Sequence, residues 1–160
     1  MTDHVRRLLV RELSTFVAEI EAMPSDSLLW ECPPGVSNPV GTLALHVAGN
    51  LRHFIGAGLG QTGYVRDRAR EFEARGLGAT DVIMELRLAI ADMEAVLPGV
   101  APDRLETPYP VAGVELPTGL FLLHLCSHAA HHLGQAGYLR RILTGENRSV
   151  AGASIPALVR

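Results

Sequence analysis

The chain has 160 residues, 48% of them hydrophobic and 19% charged, with a formal net charge of −3. That length suits one domain with its own core, and the apolar share excludes a disordered chain. The slight acidity, with no basic stripe carrying interleaved aromatics, sets aside nucleic acid as a partner.

The opening "MTDHVRRLLVRELSTF" scatters charges through its apolar positions and has no uninterrupted hydrophobic region of a secretory signal. No apolar run reaches the length of a membrane span, because histidine or arginine interrupts each candidate. Cys32 and Cys126 lie far apart and form no paired motif, so two free thiols are expected. A cytoplasmic protein without a membrane partner is the expectation that follows.

Helical periodicity predicts a first helix from about Asp3 to Met23, with Val5, Leu8, Leu9, Leu13, Phe16, Val17 and Ile20 on one face. Thr2 or Asp3 supplies the cap and Pro24 the stop. The turn-rich "PSDSLLWECPPGVSNP" follows, with a short helical turn at Asp26 to Trp30. A second helix opens near Ser37 or Asn38, has Pro39 at its first position and runs to about Gly60. The polar "GQTGYVRDRAREFEARGLG" reads as an excursion with little core of its own.

Thr80 caps a third helix that continues to Pro98. The proline-rich "PGVAPDRLETPYPVAGVELP" then reads as a long loop, of the functional or crossover kind. No internal repeat and no strand pair around a tight Asn-Gly turn is found. The fourth helix spans about Thr118 to Thr144 or Gly145, and "ENRSVAGASIPALVR" forms a tail. Four long helices with long loops imply an all-α four-helix bundle, one domain over residues 1–160.

Chemistry concentrates in "HLCSHAAHHLGQAGYLRR". A spacing of four returns a side chain to nearly the same helix face, so His124, His128 and His132 form one ladder. His131 flanks it and Gln135 extends it. His128 and His132 are a chelating pair of the type zinc sites use on a helix. On the second helix, His46 sits among apolar residues, with Asn50 and His53 on its face at offsets of four and seven. A histidine directed into the bundle can meet a pair from a facing helix.

Three imidazoles leaving an open position match a catalytic metal better than a structural one. Taken alone, His46 reads as a core histidine, and the pair alone balances a metal against a chance helical spacing. Asn50, His53, His124, His131 and Gln135 read as pocket lining or as partners of the ligand rings. Cys126 points away from the stripe.

The layout resembles the DinB/YfiT-like superfamily of metal-binding four-helix bundles. "SNPVGTLALHVAGNLRHFIG" resembles its second helix, "HAAHHLGQAGYLRRILTG" its C-terminal helix motif, and "LLWECPPGVSNP" its Trp- and Pro-containing connection. "YVRDRAREFE" resembles a stretch found in a subgroup of uncharacterised members. The resemblance implies metal ligands at His46, His128 and His132, zinc or nickel as the ion, and a homodimer. It also implies a relation to transferases and isomerases that use a low-molecular-weight thiol. Where the family often has a basic residue before the Gly-Gln pair, this chain has Leu133.

Three functional classes stay open. The first is a metal-dependent enzyme acting on a small molecule, a thiol-dependent S-transferase or a hydrolase. In that reading Arg66, Arg68 and Arg70 receive carboxylates of a peptide-like thiol, unless they form a solvated loop with Asp67, Glu71 and Glu73. The second is a non-catalytic metal-binding stress-response bundle. The third is a metal-free helical interaction module whose histidines sense pH.

Overall fold

The structure is a computed structural model and describes residues 1–150 and 153–159. Four long helices carry the core: α1 (Thr2–Glu21), α2 (Val40–Leu51), α4 (Ala79–Val96) and α5 (Thr118–Thr144), with a short α3 (Arg68–Glu73) between α2 and α4. A π-helical segment, Arg52–Ala57, and a last turn, Gly58–Gly60, prolong α2. No helix among the described residues is long and apolar enough to cross a membrane.

α1 buries Val5, Leu9, Leu13, Phe16 and Ile20, at the three- and four-residue steps that align side chains on one helix face. They meet Leu86 and Met93 of α4 and Leu122, Leu125 and Ala129 of α5 in one core. Each fully buried leucine contributes about 1.5–3 kcal/mol relative to exposure. α1 and α2 each pack on both α4 and α5, and stand diagonally across the bundle with little mutual contact.

That arrangement explains the long connections. A chain leaving α1 must cross the end of the bundle to start α2, and a chain leaving α4 must do so to start α5. The first crossover is pinned by Trp30, whose indole N–H donates to Leu77 O at 2.9 Å. Its ring lies against Gly41, where a Cβ would come within 2.7 Å of it.

The second crossover corrects the expectation of a structureless loop. Two 3-10 turns lead into an antiparallel hairpin, β1 (Pro108–Val111) and β2 (Val114–Pro117), with Val111 opposite Val114. Its two-residue turn holds Ala112 and Gly113 at φ of 51° and 80°. Hairpin turns of this length favour positive φ, normally through Asn-Gly or Asp-Gly. An alanine in the first place hides that signal. Tyr109 faces inward from β1 and donates its hydroxyl to Phe54 O at 2.9 Å.

The start of α4 also differs. Its cap residue is Gly78, and the side chain of the distant Asp26 accepts from Ala79 N at 3.1 Å. A remote carboxylate thus replaces the local Thr80 cap. α5 ends as its glycine suggests, with Gly145 left-handed at φ 71° and its N–H on Arg141 O. The tail docks: Arg148 O accepts from Arg140 and Leu158 O from Arg7, while residues 151, 152 and 160 lie outside the described ones.

Candidate metal centre

α2 and α5 face each other with His46 level with His128 and His132. The Nε2 atoms of His46 and His128 are 3.2 Å apart, as are those of His132 and His128. Among the described residues these three are the one group of potential ligand side chains that converges, with all ligand atoms within 4.8 Å of one another. Two imidazoles bound to one ion at about 2.0–2.1 Å in tetrahedral geometry have nitrogens about 3.3–3.4 Å apart. The observed spacing is close to that edge.

The outer nitrogens fix which atoms can ligate. His46 Nδ1 is 3.1 Å from Glu71 Oε2. Glu71 is clamped by Arg66, with Nε to Oε1 at 2.6 Å and Nη2 to Oε2 at 2.7 Å. Burial alone would raise the Glu71 carboxyl pKa, but the Arg66 fork and His46 overcome it and hold it below the ordinary value. An ionised carboxylate only accepts, so His46 carries its proton on Nδ1 and turns a bare Nε2 inward. Arg66 Nη2, 3.3 Å from that same Nδ1, is a second donor to the shared oxygen.

His132 repeats the pattern, its Nδ1 donating to Gln135 Oε1 at 2.7 Å. Two bare nitrogens therefore point at the ring of His128, which can offer a proton to only one of them. A cation between the three satisfies all of them. These donors fit a divalent transition metal, which suits neutral imidazole. Burial, then the neighbouring rings of His132 and His46, pushes the His128 pKa down to about 4. Burial also lowers that of His132, against the Gln135 bond. Both rings are neutral at pH 7 and ready to ligate.

The remaining expected residues separate. Gln135 is bonded to a ligand ring, and Asn50 is buried one turn along α2. His131 is exposed, edge-on to His132 at 5.1 Å between centroids. His124 is also exposed and stacks on Phe121 at 6.1 Å. His53 packs on Phe54 at 4.8 Å, outside the cluster. Its offset of seven keeps the face but moves it about 10 Å along the axis. Cys126 is partly buried, and desolvation raises its thiol to about 11, consistent with packing rather than chemistry.

Glu71 lies in the segment whose composition reads as a polar excursion. α3 carries it inward to 5% exposure, and Gly49 of α2 makes room: a Cβ there would come within 2.2 Å of Glu71 Oε1. The three arginines fit neither expectation as a set. Arg66 is committed to Glu71, Arg68 lies over the Phe72 ring at 4.8 Å, and Arg70 reaches Glu85 at 3.3 Å from an exposed position. The segment carrying Arg66 and Glu71 reaches the site. The hairpin instead packs Tyr109 on Phe121, two turns of α5 from His128.

Gln135→Ala should weaken divalent-metal affinity about tenfold or more, because an outer partner orients its ligand ring. A chelator-competition titration with Zn²⁺ would show it, and an unchanged affinity would reduce Gln135 to a surface contact.

A bundle that turns three imidazole nitrogens from two facing antiparallel helices toward one point is a helical bundle with a candidate metal centre. The family model for the DinB superfamily matches residues 8–136, and the chain belongs to that superfamily. Its structure is similar to the crystal structure of a DinB-like protein from Bacillus cereus ATCC 10987, with a TM-score of 0.64 and 24% identity. That match covers 83% of this chain and 86% of the other, and it shows the shared fold. No curated protein matches the chain.

Proposed function

We propose that the protein is a metal-dependent enzyme whose His46, His128 and His132 hold one divalent transition ion, zinc or nickel, with open positions for a small-molecule substrate. The observation that carries this reading is the meeting of three Nε2 atoms with 3.2 Å between neighbours, two of them made bare by bonds behind the rings. The ion supplies Lewis acidity, which turns a thiol or water into a nucleophile at neutral pH. Thiol S-transfer or hydrolysis are the reactions such a site supports.

The chain's own residues hold and orient. Glu71 and Gln135 keep the His46 and His132 rings in the Nδ1–H form. Both oxygens of Glu71 are occupied, so it supports a ligand rather than accepting a substrate proton. That commitment favours a second reading, a metal-binding bundle without catalysis. Elemental analysis of protein purified without a histidine tag tests the metal. Less than one equivalent of bindable Zn²⁺ or Ni²⁺ would sink both readings. Conjugation assays with low-molecular-weight thiols and a panel of electrophiles, and hydrolysis assays beside them, separate enzyme from binder.

Proton competition for the site should set in only as pH falls below the ordinary histidine value of 6.5. Metal needs neutral imidazole, and His128, lowered to about 4, and His132, also lowered, stay neutral to a lower pH than a free ring. Affinity is therefore full above the ordinary histidine pKa and is lost as pH falls toward about 4. A Co²⁺ absorption titration from pH 7.5 to 4 measures it, and a release midpoint at 6.5 or higher would contradict the assignment.

We also propose a homodimer through the outer face of α5. Leu120, Leu123, Tyr138 and Ile142 are each at least half exposed there, with the small Ala130 and Gly134 between them. Apolar residues at helical spacing around small ones suit close helix packing, and single exposed apolar residues would not need it. Sedimentation should give a dimer that Ala130→Glu disrupts. A wild-type monomer at tens of micromolar would end the idea.

A further inference from the structure

Three buried side-chain atoms among the described residues lack a hydrogen-bond partner: Arg11 Nε, Asn50 Oδ1 and His128 Nδ1. Arg11 belongs to α1, beside Glu12. The other two stand on the facing helices α2 and α5, and they are chemically complementary. A histidine that ligates through Nε2 carries its proton on Nδ1 and is a donor there, while an amide oxygen is an acceptor. Burying either without a partner costs about 1–3 kcal/mol, so two such atoms in one small region call for an explanation.

Their placement supplies one. α2 and α5 run antiparallel, as two aromatic contacts show: His46 meets His128 at 5.1 Å between centroids, and Phe54 meets Phe121 at 5.1 Å. Asn50 lies midway between His46 and Phe54, one turn from each, and therefore faces the stretch of α5 from Phe121 to His128. His124 and Leu125 stand nearest to His128 on that face of α5. Leu125 is apolar and buried, and His124 is exposed and has solvent for its nitrogens. His128 Nδ1 has neither solvent nor a partner.

We propose that Asn50 is the positioning residue of His128: its Oδ1 takes the Nδ1–H when Nε2 is committed to a metal. The proposal rests on the metal reading above and completes its pattern. Glu71 stands behind His46, Gln135 behind His132 and Asn50 behind His128, so each ligand ring has its own acceptor. The neutral amide orients a ring whose Nδ1 is buried, without adding a charge. Asn50 also differs from Gln135 in being buried, so solvent cannot replace it.

The test uses the full chain, uniformly ¹⁵N-labelled, with Zn²⁺ as probe. Histidine ring correlation spectra report which nitrogen holds each proton and how fast that proton exchanges. In the wild type, His128 should be protonated at Nδ1 and exchange slowly. Asn50→Leu, similar in size but without an acceptor, should lose that protection and weaken Zn²⁺ affinity about tenfold or more. Asn50→Asp, which keeps the acceptor, should stay within a few-fold of wild type. An Asn50→Leu protein with wild-type affinity and an unchanged His128 signal would overturn the proposal, as would Asn50→Asp as weak as Asn50→Leu. Should Asn50→Leu not fold, the wild-type spectrum still decides, since a His128 protonated at Nε2 in the loaded protein excludes the bond. A wild type that takes up no Zn²⁺ defeats the metal reading instead. The metal-free ring spectra of wild type and Asn50→Leu then decide the Asn50 contact alone, for it if protection differs and against it if not.

Discussion

Replacing His128 with alanine should abolish stoichiometric binding of a divalent transition metal while leaving the bundle helical. His128 is the central member of the cluster, 3.2 Å from each of the other two ligand nitrogens. Its removal leaves only two ligand rings, His46 and His132, on separate helices. The loss should exceed the ~10–100-fold that follows removal of an outer partner. The fold should survive because its core is apolar and lies elsewhere, around Leu9, Leu13, Leu86 and Leu122. Isothermal titration with Zn²⁺ beside far-ultraviolet circular dichroism checks both halves. A variant that still binds one equivalent tightly, or a chelated wild type that unfolds, would contradict this account.

The same variant should change how the metal-free protein responds to acid. A ring whose folded pKa lies near 4 binds fewer protons than its unfolded counterpart between about 4 and 6.5. The unfolded state therefore gains protons as pH falls, and stability drops across that window while being fully present above it. His128→Ala should flatten that part of the profile.

The largest effect on stability should come from Arg140. It is 1% exposed, and its Nε donates to Glu19 Oε2 at 2.5 Å, with Glu19 itself 5% exposed. Its remaining nitrogens hold the tail, through Glu146 at 3.2 Å and Arg148 O at 2.7 Å. Arg140→Met strands the Glu19 charge in the core and frees the tail. Breaking a buried pair in this way costs about 3–5 kcal/mol, out of roughly 5–15 for a typical domain. Denaturant unfolding would measure the loss, and a drop below about 1 kcal/mol would count against a tightly buried pair. Glu19→Leu combined with Arg140→Met should recover most of it, since apolar replacement of both partners removes the stranded charge. Zn²⁺ affinity should be unchanged in the double variant, because the pair joins α1 to α5 away from the histidine cluster.

The helices and their order were legible in the sequence because each must hide an apolar face, and that requirement repeats every three to four residues. Val5, Leu9, Leu13, Phe16 and Ile20 read as one buried stripe and are one. The histidine pair was legible for the same reason, since a single helix fixes the distance from His128 to His132. Gln135 could be placed behind His132 because three residues of the same helix separate them.

Contacts between elements were a different matter. Asp26 caps α4 across 53 positions, and Glu71 reaches His46 from a segment whose charge pattern suggests a solvated loop. Neither has a local periodicity to betray it. The glycine that admits Glu71, Gly49, reads in sequence as a weak point in a helix, and only the approach of α3 gives it a purpose. The Ala112–Gly113 turn was missed because the strain at Ala112 is sustained by the docking of Tyr109, a tertiary contact. The sequence by itself determined four amphipathic helices and the residue types able to hold a metal, since both follow from spacing along one chain. Tertiary structure alone decided that His46 meets His128, that Arg66 and Glu71 stand behind it and that His53 does not join. Those outcomes depend on which helices are neighbours and at what height, and two diagonal crossovers set both.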